Sequence, residues 1–190
     1  MRIVGGELKG RRLEAPEGRS VRPTSDRARE SLFNILTQGR VARNGNPLAG
    51  ARVLDGFAGS GALGIEALSR GAAEAFFLEK DRDALAVLRR NLATLNLGSR
   101  ARVVPADILS PPRAVQPCDI LFLDPPYRTG LAEPAFKALA AAGWIAPGAL
   151  ISLETARNED FEAPAGYTQI DERHYGNARL TIFQYEADEP

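Results

Sequence analysis

The chain has little of the chemistry that most often marks a site. Its 190 residues include one cysteine, one histidine, one methionine and one tryptophan. Cys118 by itself closes no internal disulfide. Beside the single His174 it supplies neither a zinc-ligand set nor a Cys–His nucleophilic pair, so no metal is expected. No apolar run reaches the ~18 residues that a membrane-spanning helix needs. The start, MRIVGGELKGRR, is too broken by glycine and charge for a secretory signal. The expectation is a cytoplasmic protein without a membrane partner. An excess of one charge is missing too, since 24 Lys and Arg balance 24 Asp and Glu.

That balance is uneven along the chain. Residues 1–43 carry ten basic and five acidic residues, whereas residues 44–190 carry fourteen basic and nineteen acidic. A local basic face steers a polyanion even on a neutral molecule. Apolar residues make up 44% and charged residues 25%, an ordinary globular balance that excludes collagen, coiled coil and wholesale disorder. The length suits one domain with a small appendage.

Residues 1–15 predict two short strands or a hairpin, and 16–24 a linker with Pro16, Gly18 and Pro23. A helix follows, capped within Thr24 to Asp26, with Ala28, Leu32, Ile35 and Leu36 as its core face. Residues 39–50 read as a loop. From residue 51 strands and helices alternate. Strands are predicted at ARVLD, AEAFFLE, RVVPAD up to Asp107, DILFLD over 119–124 and ALISLE. Helices are predicted at 62–70, from Asp81 to about Leu95, and over 131–142. YTQIDERHY and ARLTIFQYE close the chain as an antiparallel pair turning near Gly176. Runs such as FFL and ILFL are apolar without alternation, as strands buried on both faces are. The expected fold is α/β: a seven-stranded, mostly parallel sheet with an antiparallel last strand and helices on both faces. The division is an N-terminal extension over 1–43 and a main domain over 44–190.

Three strands end in an acid: Asp55, Glu79 and Asp107. In an open α/β sheet ligands sit beyond the carboxyl ends of the strands. The loop Gly56-Phe57-Ala58-Gly59-Ser60-Gly61 lets backbone approach a ligand, and the next helix points its positive end there. Gly59, Gly61 and Gly64 satisfy G-x-G-x-x-G, with Glu79 twenty residues past Gly59. An NAD-type oxidoreductase is therefore weighed. Two details lead away from it: the strand ends in Asp55, and three residues intervene before Gly59. A carboxylate there suits a cationic ligand better than a pyrophosphate. Glu79 can take two ribose hydroxyls, and Asp107 can accept from an adenine amino group. This D-x-F-x-G-x-G arrangement, with acids closing the next strands, resembles the class I S-adenosylmethionine-dependent methyltransferases. The resemblance implies S-adenosyl-L-methionine as cofactor, held by Asp55, Gly56, Phe57, Gly59, Gly61, Glu79, Lys80, Asp107, Ile108 and Asp124.

The fourth strand ends in Asp124-Pro125-Pro126-Tyr127. Two prolines remove two backbone donors and stiffen the chain, leaving carbonyls free to face a pocket. The motif resembles the N/D-PP-Y/F signature of enzymes that methylate planar, conjugated amino groups. Such a nitrogen is a poor nucleophile, because its lone pair is delocalised. Acceptors on its N–H bonds localise that pair, and Asp124 and the Pro125 carbonyl suit this role. Tyr127 would stack on the base. Asp124, Pro125, Pro126 and Tyr127 are the candidate catalytic group. Cys118 lies at the far end of that strand and is expected to be a core thiol, which disfavours C5-methylating chemistry. His174 and Tyr175 are expected in structural or rim roles, and Trp144 in packing.

The segments RIVGGELKGRRL, RPTSDRARESLFNIL, DGFAGSGALGIEALSRGA, FLDPPYRTGL and HYGNARLTIFQYE together resemble the bacterial 16S rRNA (guanine(966)-N(2))-methyltransferase family, over nearly the whole chain. The resemblance implies a monomeric enzyme. It would methylate the exocyclic N2 of one guanine in 16S rRNA, within the small ribosomal subunit or its assembly intermediate. Lys9, Arg11, Arg12, Arg22, Arg27 and Arg29 are the expected RNA-binding charges, with Arg128 near the target phosphate. The alternatives are a DNA adenine-N6 or protein-glutamine methyltransferase, the NAD-type oxidoreductase, and a catalytically silent RNA-binding module.

Overall fold

A computed structural model of the chain describes residues 1–15, 26–38, 40–42 and 45–186. Thr24, expected near the first helix cap, and Arg22, expected at the RNA, lie outside the described residues. The elements in order are α1 (Asp26–Gln38), a 3-10 turn (Arg40–Ala42), β1 (Arg52–Asp55), α2 (Ala62–Ser69), β2 (Glu74–Glu79) and α3 (Arg82–Thr94). They continue with β3 (Ala101–Pro105), β4 (Cys118–Leu123), α4 (Ala132–Ala141), β5 (Ile145–Ala156), β6 (Tyr167–Tyr175) and β7 (Ala178–Tyr185).

The seven strands form one sheet in the order β3-β2-β1-β4-β5-β7-β6. Neighbours from β3 through β5 run parallel, and β7 is antiparallel to both β5 and β6. The α/β fold is as the alternation of elements predicts. The strand order reverses between β1 and β4, the place where open α/β sheets bind ligands beyond the strand carboxyl ends.

Alternate strand residues feed two apolar layers. Val53, Phe77, Ile120 and Phe122 pack with α1, α2 and α3, whereas Leu54, Leu78, Leu121 and Leu123 pack with α4. Local chemistry sets the helix ends. The Asp81 carboxylate accepts from the backbone N–H of Asp83 and Ala84 and caps α3. Gly61, at φ 81°, turns the chain into α2, and Gly71, at φ 109°, ends it. Leu85, Leu88, Leu92 and Leu95 of the expected α3 face are all buried.

Three details differ from the sequence expectation. β5 begins at Ile145 and runs through Pro147 and Gly148, because the register against β4 shifts there: Cys118 faces Ile145 and Ile120 faces Leu150. A bulge tolerates a proline that a regular ladder would not. β3 stops at Pro105, so Asp107 sits in the following turn. The core face of α1 is Arg29, Leu32, Phe33 and Leu36, with Ala28 and Ile35 only partly buried. That i, i+3, i+4, i+7 arc is a proper helical stripe, but its first member is an arginine.

The N-terminal hairpin closes with an antiparallel bridge between Arg2 and Arg12. Ile3 and Leu13 enter the same core layer as α1 and α2. Polar groups fix the hairpin on α2. The Glu66 carboxylate accepts from Val4 N–H (2.9 Å) and from Arg70 Nε (2.7 Å). Ser69 Oγ accepts from Leu8 N–H and donates to the Gly5 carbonyl. Asn91 of α3 bridges both backbone groups of Glu14 to the Ser60 carbonyl.

Candidate active site

Parallel strands place their carboxyl ends side by side, so residues far apart in sequence meet at one sheet edge. Asp55 ends β1, Glu79 ends β2 and Asp124 follows β4 directly. Asp55 is buried, and its Oδ2 accepts from Gly64 N–H at 2.9 Å. Burial pushes its pKa up to about 8, and the nearby Asp124 and Glu79 charges push in the same direction. Glu79 Oε2 accepts from Gly59 N–H (2.8 Å), and its Oε1 from the N–H groups of Lys80 and Asp81. Asp107 is paired with Lys80 Nζ at 2.8 Å and accepts from Leu109 N–H. The Lys80 ammonium holds the Asp107 carboxyl below its usual range.

The glycine loop explains its own composition. A Cβ on Gly56 would lie 2.6 Å from Leu123 Cδ2 and 2.9 Å from Ile108 Cδ1. A Cβ on Gly64 would lie 2.4 Å from the Phe77 ring, so this third glycine serves helix-to-sheet packing. Gly59, at φ 53°, would bring a Cβ no closer to another group than the Phe57 carbonyl oxygen, at 4.0 Å. Backbone is therefore exposed to a ligand over Gly59 and packed against the core at Gly56 and Gly64. Phe57 is partly buried against the α4-side layer.

A recess adjoins the strand-end carboxylates through Asp124. Its walls are Ala28 and Leu32 of α1, Leu63 of α2, and Tyr175, Ala178 and Leu180 of the last two strands. Its polar lining is Asp124, Ser152 and Glu154. The Tyr127 hydroxyl donates to Glu154 Oε1 at 2.5 Å, which holds the phenol ring at the strand end. Tyr175 hydrogen-bonds Ser31 and so ties β6 to α1. Sequence reasoning misses Glu154, which it reads only as the end of a strand. An acid at a strand end is the signal that marks the first three strands, and the same signal is present here.

The expected RNA-facing charges divide in two. Lys9, Arg11, Arg12, Arg27 and Arg128 are exposed. Arg11 also reaches the Thr94 carbonyl at the end of α3, at 3.3 Å. Arg128 takes a positive φ of 58°, and its N–H donates to Glu159. Arg29 is a correction. Its side chain is fully buried, paired with Asp26 at 2.7 Å and donating to the Arg2 carbonyl at 2.6 Å. Those bonds secure the hairpin to α1 and turn the guanidinium away from any phosphate. Cys118 is buried, and burial pushes its thiol up to about 12, so it remains an inert thiol as expected. Trp144 packs edge-on to Phe76. Among the described residues no group of His, Cys, Asp and Glu side chains could hold a metal, and no helix is long and apolar enough to cross a membrane.

The charge of the strand-end carboxylates suits S-adenosylmethionine, a cationic ligand. Asp124 and Glu79 stand close enough to raise the proton affinity of Asp55, and a cationic ligand offsets that repulsion. The partly exposed backbone at Gly59 leaves room for a ligand to approach. The fold and this site together define a class I S-adenosylmethionine-dependent methyltransferase.

Comparison with known proteins narrows the class. The chain belongs to the family described as Conserved hypothetical protein 95, which it matches over residues 1–184. It is 42% identical over 189 residues to ribosomal RNA small subunit methyltransferase D of Escherichia coli (strain K12), covering 98% of this chain and 91% of that one. The Haemophilus influenzae protein of the same name is 37% identical over 188 residues, covering 97% and 93%. A solved structure described as a putative methyltransferase from Escherichia coli superimposes with a TM-score of 0.83 at 42% identity, over 99% of each chain. An RNA methyltransferase from Salinibacter ruber, solved with S-adenosyl-L-homocysteine, shares the fold with a TM-score of 0.67 at 13% identity, over 89% of this chain and 97% of that one.

Proposed function

We propose that this enzyme transfers a methyl group to the exocyclic N2 of one guanine in 16S rRNA, within the small ribosomal subunit or an assembly intermediate. The observation that carries the reading is the double position of Asp124. It belongs to the acidic group around Asp55 and also lines the recess beneath α1. A group that joins the acidic cluster to the recess is where an acceptor nitrogen meets a donor methyl. The names of the relatives support ribosomal RNA of the small subunit as the substrate class.

When bound, S-adenosylmethionine supplies a methyl group on a cationic sulfur that is already electrophilic. The chain's own residues prepare the nucleophile. Asp124 accepts one N–H of the amino group, and the Pro125 carbonyl accepts the other. These bonds favour a pyramidal nitrogen and aim its lone pair at the methyl carbon. They also stabilise the positive charge that grows on nitrogen. Pro125 and Pro126 keep the acceptors from relaxing. Tyr127, held through its hydroxyl by Glu154, stacks on the base and fixes its plane. The surplus proton passes to Asp124 or through it to water. Lys9, Arg11, Arg12 and Arg27 lie exposed along the hairpin and α1, where they can hold phosphates while the base enters.

The test uses methyl-labelled S-adenosylmethionine and small subunits that lack the modification, followed by nucleoside analysis of the RNA. Label in N2-methylguanosine at a single site is the expected result. Label in another nucleoside, or only in DNA or protein, overturns the reading. Asp124→Ala should lose at least about a hundredfold in rate, in line with the loss of an oxyanion-hole donor in other enzymes. An unchanged rate removes Asp124 from the mechanism.

A further inference from the structure

Glu154 has no catalytic part in the mechanism beyond holding Tyr127, yet it sits beside the reacting group. β4 and β5 are parallel neighbours with Leu123 opposite Leu153. The next residue along each chain segment is an acid, Asp124 just past β4 and Glu154 within β5. Adjacent strands lie about 4.8 Å apart, and both carboxylates line the recess beneath α1. The Tyr127 hydroxyl fixes the orientation of Glu154 through Oε1. A carboxylate offers about four lone-pair sites, so accepting from Tyr127 does not exhaust its capacity for donors.

Two adjacent carboxylates can accept from two adjacent donors on a substrate. The Watson–Crick edge of guanine presents N1–H next to the N2 amino group. A purine with an unprotonated N1 presents a lone pair there instead, and that lone pair faces a carboxylate without a proton between them. We propose that Glu154 accepts the N1–H of the target guanine while Asp124 accepts an N2–H, so that the strand-end pair selects guanine by its two donors. This rests on the proposed guanine-N2 reading and extends it to a specificity-determining residue. Sites built around a required donor reject analogues lacking it far more strongly than apolar pockets do.

The test replaces the target guanosine by 2-aminopurine in otherwise identical RNA. That base keeps the N2 amino group as methyl acceptor but has an unprotonated N1. The wild-type enzyme should prefer guanosine by at least about a hundredfold in kcat/KM. Glu154→Gln presents an amide N–H to position N1 and should reduce that ratio at least about tenfold. Tyr127→Phe should lower the rate on both substrates and, because it frees Glu154 Oε1, should move the ratio no further than Glu154→Gln does. A Glu154→Gln ratio equal to wild type overturns the proposal and leaves Glu154 as a holder of Tyr127. Equal wild-type rates on the two bases overturn it without any variant. Absence of N2 methylation on the guanosine RNA itself fails the underlying reading, a result distinct from the others.

Discussion

Asp55 concentrates the residue-scale physics. A carboxyl enclosed by β1, the glycine loop and α2 loses hydration, and its pKa rises to about 8. The unfolded chain ionises this group near 3.8, whereas the ligand-free folded chain keeps it protonated until about 8. The ligand-free protein therefore keeps this group's full contribution to stability below about pH 4 and loses it progressively as pH rises through 8. A cation reverses the preference, so binding should release a proton and tighten as pH rises towards 8. Asp55→Asn should flatten the pH dependence of stability across that window. It should also weaken S-adenosylmethionine binding by at least about tenfold at pH 8, since a hydrogen bond to a charged group is worth ~1.5–3 kcal/mol. Calorimetry in buffers of different ionisation heat measures the proton release. The difference between wild type and variant isolates Asp55, because titration of the ligand itself is common to both. Identical proton release by the two proteins would exclude Asp55 as its source.

At the scale of elements, the hairpin and α2 act as one piece. Ser69 is buried and bonds the hairpin at two points, and Glu66 adds a third through Val4. Ser69→Ala leaves Leu8 N–H and the Gly5 carbonyl without these partners, at a cost of ~1–3 kcal/mol. Chemical denaturation measures that cost. If the hairpin presents charges to RNA, the same variant should bind RNA more weakly at unchanged cofactor affinity. A variant that loosens neither stability nor RNA binding would show that Ile3, Leu13 and the Glu66, Asn91 and Arg29 bonds hold the hairpin without Ser69. Element identity is largely legible in the sequence, since apolar runs, glycine stops and the Asp81 cap are local signals. The orientation of α1 is not. Periodicity favours an apolar face through Ala28, but burial of Arg29 against Asp26 and the Arg2 carbonyl rotates the stripe by one residue. No local rule anticipates a buried guanidinium whose partner comes from another segment.

On the scale of the whole molecule, zero net charge hides a basic start and an acidic remainder. The acidic surplus includes the strand-end carboxylates that suit a cationic cofactor, and the basic surplus includes the exposed Lys9, Arg11, Arg12 and Arg27. Replacing Arg11 and Arg12 by Gln should weaken RNA binding similarly for all sequences. It should also reduce the slope of log affinity against log salt by about one for each phosphate no longer neutralised. Cofactor affinity should not move. An unchanged salt slope would assign the RNA path to another face.

By itself the sequence determined the α/β class, the glycine loop, the acids closing the first strands and the Asp124-Pro125-Pro126-Tyr127 corner. Each is written in contiguous residues, where backbone stereochemistry and local polarity act over a few positions. Tertiary structure alone decided that Arg29 is buried, that Asp55 holds its proton to about pH 8, and that Glu154 stands beside Asp124. Desolvation and strand register depend on what packs against a residue from elsewhere in the chain. The parallel pairing of β4 with β5 joins positions thirty residues apart, and no local pattern contains that distance.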